Sequence, residues 1–114
     1  MSALSLTIDN TLVNVTWEDN PSVSSLRELA SSGLTLNLTR YGGFEQVGPI
    51  GKTLPSSDVN LTTSPGDICL YDSNKIVLFF GKNTWAYTRL GHINLSEGEL
   101  AALLNKESVT ITLR

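Results

Sequence analysis

The chain has 114 residues, a single cysteine and a formal net charge of −3. That length makes one domain, residues 1–114, which buries roughly two thirds of its unfolded-chain surface and stands without disulfides. No basic cluster is present to neutralise phosphates, which excludes nucleic acid as a partner, and no run of 18 apolar residues exists to span a membrane.

The N-terminal "MSALSLTIDN" has neither a basic start nor a long apolar core, so the expectation is a cytoplasmic protein without a secretion signal. "LSLTID" and "LVNVTW" alternate apolar and polar residues on either side of "NT" and predict a hairpin over residues 4–17. Leu4, Leu6 and Ile8 share one face with Val13, Val15 and Trp17. In "DNPSVSSLRELASSG", Asn20 is placed to cap a helix, Pro21 suits its first position and Gly33 its left-handed stop. Val23, Leu26, Leu29 and Ala30 follow helical spacing, giving a short helix over 21–32.

"LTLNLTR" returns to period two, with Leu34, Leu36 and Leu38 inward and Arg40 continuing that parity at the strand's end. "YGGFEQVGPIG", residues 41–51, is too rich in glycine for an interior strand or helix and reads as an ordered loop, its glycines permitting positive φ. "TLPSSDVNLTTSPGD" carries turn chemistry throughout. "DICLYDSNKIVLFFG" predicts a second hairpin about "DSNK". Its arm "IVLFF" is apolar on both faces and is expected as a central strand covered on each side. Cys69 lies in the other arm and reads as an inert buried thiol. "WAYTRLGHI" is a further strand. Ser96 with Glu99 three residues on forms a capping box that opens a helix to about Asn105, and "SVTITLR" closes the chain with Val109, Ile111 and Leu113 on one face.

A mainly β domain of about eight short strands and two short helices favours a closed barrel, whose closure removes exposed edges. On pattern alone a sandwich satisfies the same alternation.

Few catalytic motifs survive inspection. "GPIGKT" resembles the end of a phosphate loop, but Gln46 stands where the first glycine belongs and Pro55 denies the following helix. One histidine and one cysteine build no zinc site, and no Gly-x-Ser-x-Gly presents a nucleophile to His92. His92 reads as exposed or structurally bonded, and Asp67 and Asp72 as turn acceptors. No catalytic residue, metal or cofactor is expected.

One constellation remains. Alternation puts Trp85, Tyr87 and Arg89 on one strand face, while Arg40, Tyr41, Phe44, Glu45 and Gln46 cluster at the glycine-rich loop. Aromatic walls with a few fixed polar groups are the makings of a ligand pocket. The competing structural reading has Trp85 and Tyr87 packing the barrel while Arg89 pairs with Glu45.

"YGGFEQVG", "PGDICLY" and "WAYTRLG", in this order, make the chain resemble the bacterial cyclophilin-like domain family, most densely from Leu34 to Ile93. The resemblance implies an eight-stranded closed barrel with a helix at each end. Members of this family occur alone or beside flavodoxin-like domains. The aromatic-His-Arg strand and Phe-Met-x-Gln-Gly-Gly-Asp segment of prolyl isomerases are absent, so their catalytic residues do not carry over. Three functional expectations follow. The first is a binding module for a small molecule or peptide, with Arg40 and Arg89 supplying charge. The others are a divergent peptidyl-prolyl isomerase and a non-catalytic interaction domain for a flavodoxin-like redox partner.

Overall fold

The computed structural model describes residues 4–114; residues 1–3, the first part of the stretch read above for a secretion signal, lie outside it. Ten strands and two helices follow one another as β1 Leu6–Ile8, β2 Thr11–Val13, β3 Val15–Trp17, α1 Pro21–Leu29, β4 Leu34–Tyr41, β5 Glu45–Pro49, β6 Val59–Thr62, β7 Asp67–Tyr71, β8 Lys75–Phe79, β9 Thr84–Ile93, α2 Glu97–Leu104 and β10 Ser108–Leu113. They form one nearly closed barrel-shaped sheet in the order β2-β1-β10-β4-β5-β8-β7-β9-β3, with β6 pairing β9 off this path.

The two ends of the path are separated in the chain only by Asn14, whose carbonyl accepts from the Asn94 amide at 2.8 Å. Residues 11–17 are therefore one strand broken at Asn14. Its first half pairs β1 (Leu6↔Val13) and its second half pairs β9 (Trp17↔Gly91), so the ring is linked through the chain itself. Counted this way the barrel has the expected eight members, and β6 is an addition.

Its interior follows the period-two pattern. Leu6, Ile8, Leu38, Ile68, Leu70, Ile76, Leu78, Leu90, Ile111 and Leu113 are fully buried in one core, joined by Val23 and Leu26 of α1 and Leu100 and Leu104 of α2. Both helix starts form as read. The Asn20 side chain accepts from the Val23 amide with Pro21 behind it, and a 3₁₀ turn, Ala30–Ser32, runs on to Gly33 at φ 92°. Ser96 and Glu99 complete the reciprocal capping box of α2.

The stretch 41–51, read as a loop, is not one throughout: residues 45–49 form β5, an interior strand paired with both β4 and β8. Gly48 permits this because without a Cβ it leaves room for the β4 backbone at Asn37. Three further details differ from the sequence reading. The first hairpin turns at Asp9–Asn10 rather than at Asn10–Thr11, because Asp9 (φ 45°) and Asn10 (φ 71°) supply the two left-handed residues that a tight turn between right-twisted strands needs. Residues 59–62, inside the stretch read as turns, form β6 by pairing β9, from Val59↔Tyr87 to Thr62↔Thr84. Third, β7 and β9 slip register. Ile68 pairs Gly91 but Cys69 pairs Arg89, which leaves Leu90 as an extra residue in β9.

Candidate functional site

Strands β7 and β8 are apolar on both faces. Ile68, Leu70, Ile76 and Leu78 face the barrel core, while Cys69, Val77 and Phe79 face outward into a second buried cluster with Tyr87. Leu61 of β6, Val47 of β5 and Tyr71 of β7 pack against this outer cluster. The Tyr87 ring meets Phe79 edge-on at 5.4 Å and 75°, with Tyr71 6.0 Å away. The covering that "IVLFF" demanded is thus supplied from outside the barrel by residues of β5, β6, β7 and β9. Cys69 is sealed beneath, and burial first, then the nearby Asp67 charge, pushes its thiol up to about 12. At neutral pH it carries no thiolate.

Against this cluster opens a pocket of about 550 Å³. Tyr41 and Phe44 at the β4–β5 loop form one wall and Trp85 and Tyr87 of β9 another. Val47 and Tyr71 lie between, and Glu45, Lys75 and Asn83 are the polar lining.

The glycine-rich loop that carries the first wall is tied down. The Phe44 carbonyl accepts from the amides of Phe80 (2.9 Å) and Gly81 (3.0 Å), and the Tyr41 and Phe44 rings lie 6.0 Å apart. Gly42 turns the chain at φ 62°, and a Cβ there would sit 3.2 Å from the Phe44 ring. Gly43 has no such φ and open space around it. Gly42→Val is therefore expected to destabilise the protein by more than about 1 kcal/mol in denaturant unfolding, with Gly43→Ala costing distinctly less. Equal losses at the two positions would contradict this account of the loop.

Glu45 is 6% exposed, and among the described residues no hydrogen bond or ion pair holds its carboxyl. Burial raises its pKa to about 7. Lys75, by contrast, is occupied. Its ammonium pairs with Asp72 at 3.7 Å, contacts Asn74 Oδ1 at 3.1 Å and lies 5.9 Å from the centre of the Tyr71 ring. Asn83 Nδ2 donates to the Tyr87 hydroxyl at 2.8 Å, and burial, chiefly, raises the pKa of that hydroxyl. The pocket thus presents aromatic faces, one cation already engaged and one carboxyl without a partner.

Of the eight residues singled out in the sequence, Tyr41, Phe44, Glu45, Trp85 and Tyr87 come together here, and Arg40, Gln46 and Arg89 do not line the pocket. Alternation along β4 and β5 explains the division. Arg40 pairs with Gln46 across the ladder on the inner face, while Tyr41 pairs with Glu45 on the outer. Arg40 Nη1 donates to Asn105 Oδ1 at 3.0 Å beside the end of α2. Gln46, fully buried, donates its amide to the carbonyls of Leu104 (2.8 Å) and Lys106 (2.7 Å), closing the C-terminus of that helix.

Arg89 pairs not with Glu45 but with Asp67, Nη2 to Oδ2 at 3.4 Å. The extra residue in β9 brings His92 to the same carboxylate, its Nδ1 2.8 Å from Oδ1, although strict alternation separates the two side chains. Asp67 also accepts from the Ser64 amide at 3.0 Å, the turn role expected of it. Sequence reasoning did not single out Val47, Tyr71, Lys75 or Asn83. The signal available was the two-faced apolarity of β8, which requires outward neighbours to cover it. No group of three metal-ligating side chains occurs among the described residues, and no helix among them is long and apolar enough to cross a membrane.

A model of the cyclophilin-like family matches residues 6–114. Among solved structures, the solution structure of the hypothetical protein AF2241 from Archaeoglobus fulgidus is similar, with a TM-score of 0.62 and 19% identity over 97% of this chain and 92% of that one. No curated protein matches. The chain belongs to the cyclophilin-like family.

Proposed function

We propose that this cyclophilin-like domain is a binding module for a small molecule or peptide, held in the outer pocket between the glycine-rich loop and β9. One observation carries the reading. Aromatic residues and a buried, unpartnered carboxyl line an open pocket of about 550 Å³, within the ordinary size of ligand sites. A carboxyl left unpaired in apolar surroundings costs stability, and such groups concentrate where proteins act on ligands. Trp85 supports the same view. It is 57% exposed, a large apolar face left open at the pocket wall rather than packed. Tyr87, in contrast, serves both the packing and the wall.

The test is a ¹⁵N NMR screen with small cations, anions and Xaa-Pro dipeptides, read against Trp85→Ala. Binding is expected to shift residues 41–47 and 83–87. Trp85→Ala is expected to weaken each ligand about tenfold, ~1.4 kcal/mol, without moving the unfolding midpoint. Ligands whose shifts scatter over the barrel, or whose affinity ignores Trp85, would refute the assignment.

A further inference from the structure

We infer that the ligand class of this pocket is an organic cation, an alkylammonium group bound by the Glu45 carboxylate and enclosed by the rings of Tyr41, Phe44, Trp85 and Tyr87. The inference rests on the pocket reading above and deepens it.

Charge and geometry favour a cation over an anion. Neither Arg40 nor Arg89 lines the pocket, since their guanidinium groups are held by Asn105 and Asp67. Lys75, the one cation in the lining, is paired with Asp72. It also lies four residues along β8 from Phe79, the ladder partner of Glu45, roughly 13 Å at strand spacing. The remaining unsatisfied charge is negative. Aromatic faces carry negative quadrupole potential and attract ammonium groups, most strongly where water is displaced. A buried carboxylate among rings therefore has one good complement: a positive group whose alkyl substituents fill the apolar space.

The ionisable groups around Glu45 do not supply that complement. Tyr41 of β4, Cys69 and Tyr71 of β7 and Tyr87 of β9 are phenols and a thiol, which carry no positive charge, and Lys75 of β8 is engaged. Burial alone holds the Glu45 carboxyl near pH 7, so a cation entering the site displaces its proton. Affinity for a cation must then rise as Glu45 ionises.

The probes are choline, its neutral carbon isostere 3,3-dimethylbutan-1-ol and the anion pivalate, titrated into the ¹⁵N-labelled protein. The shifts read are those of the Trp85 indole N–H and the amides of 41–47. Choline is expected to bind at least about tenfold more tightly than the isostere, and pivalate weakest. Its affinity should rise about tenfold from pH 6 to pH 8, the range over which the carboxyl loses its proton. Glu45→Gln is expected to abolish both the discrimination and the pH dependence. Trp85→Leu, at an exposed position, should weaken choline while leaving the fold intact. Equal binding of the isostere, preference for pivalate or affinity that falls with pH would overturn the cation inference and leave the pocket standing. Absence of any shift at the pocket with all three probes, together with a negative broader screen, would overturn both.

Discussion

Glu45→Gln is expected to raise the unfolding free energy of the ligand-free protein by about 2–3 kcal/mol at pH 8 and to change it little at pH 4.5. The folded-state pKa of Glu45, about 7, lies above its ordinary value of 4.5 because the carboxyl is buried. The folded protein therefore holds this proton more tightly than the unfolded chain. Stability is fully present below pH 4.5, declines as pH rises through 7 and levels off above. A neutral glutamine of similar volume removes that decline. Urea titrations of both proteins at several pH values measure it directly, and a difference that does not grow with pH would mean the carboxyl has a partner in solution. Tighter folding on removal of a native charge is the mark of a group retained for a purpose other than stability.

The neighbouring Gln46 should respond in the opposite sense. Gln46→Glu is expected to destabilise the protein by about 3–5 kcal/mol at pH 8, a large share of the roughly 5–15 kcal/mol that holds a domain folded. The amide now donates to the carbonyls of Leu104 and Lys106 in a fully buried position, at the negative end of α2. A carboxylate there faces two acceptors and donates to neither. Protonation restores one donor, so the loss should shrink as pH falls toward 4. Thermal unfolding followed by circular dichroism decides the matter; a variant as stable as the parent at pH 8 would mean the end of α2 is not closed by this side chain. Two adjacent residues thus give substitutions of opposite sign because a strand sends one side chain outward and the next inward.

That alternation also explains how far the sequence could be read. Helix boundaries were legible because caps are local: Asn20–Pro21 and Ser96–Glu99 act within a single turn. Central placement of β8 was legible from apolar residues on both of its faces. Five of the eight clustered residues meet at the pocket because the loop at 41–45 and the start of β9 both approach the outer cluster. Arg89 keeps the outward face that alternation gives it, opposite Cys69, but is drawn to Asp67 rather than to the pocket. His92 was not legible, because one extra residue at Leu90 breaks the parity from which its direction follows, and a bulge leaves no local mark there. Strand β6 was hidden for a different reason. Pairing to β9 overrides the turn preferences of its Asn and Thr residues, and that partner lies more than twenty positions away. Arg40 and Gln46 follow alternation faithfully, but sequence proximity to the loop concealed that they face the opposite side of the wall.

The place of β10 in the ring has a consequence for synthesis. It lies between β1 and β4, pairing Leu6 with Leu113 and Leu36 with Ile111. As the chain emerges from the ribosome, β1 and β4 both present unsatisfied backbone edges until residues 108–113 are released. Such edges invite pairing with other nascent chains, and distant pairings form slowly. The wedge that completes the cylinder comes after every other strand in chain order, so each nascent copy stays unsealed until residues 108–113 have emerged.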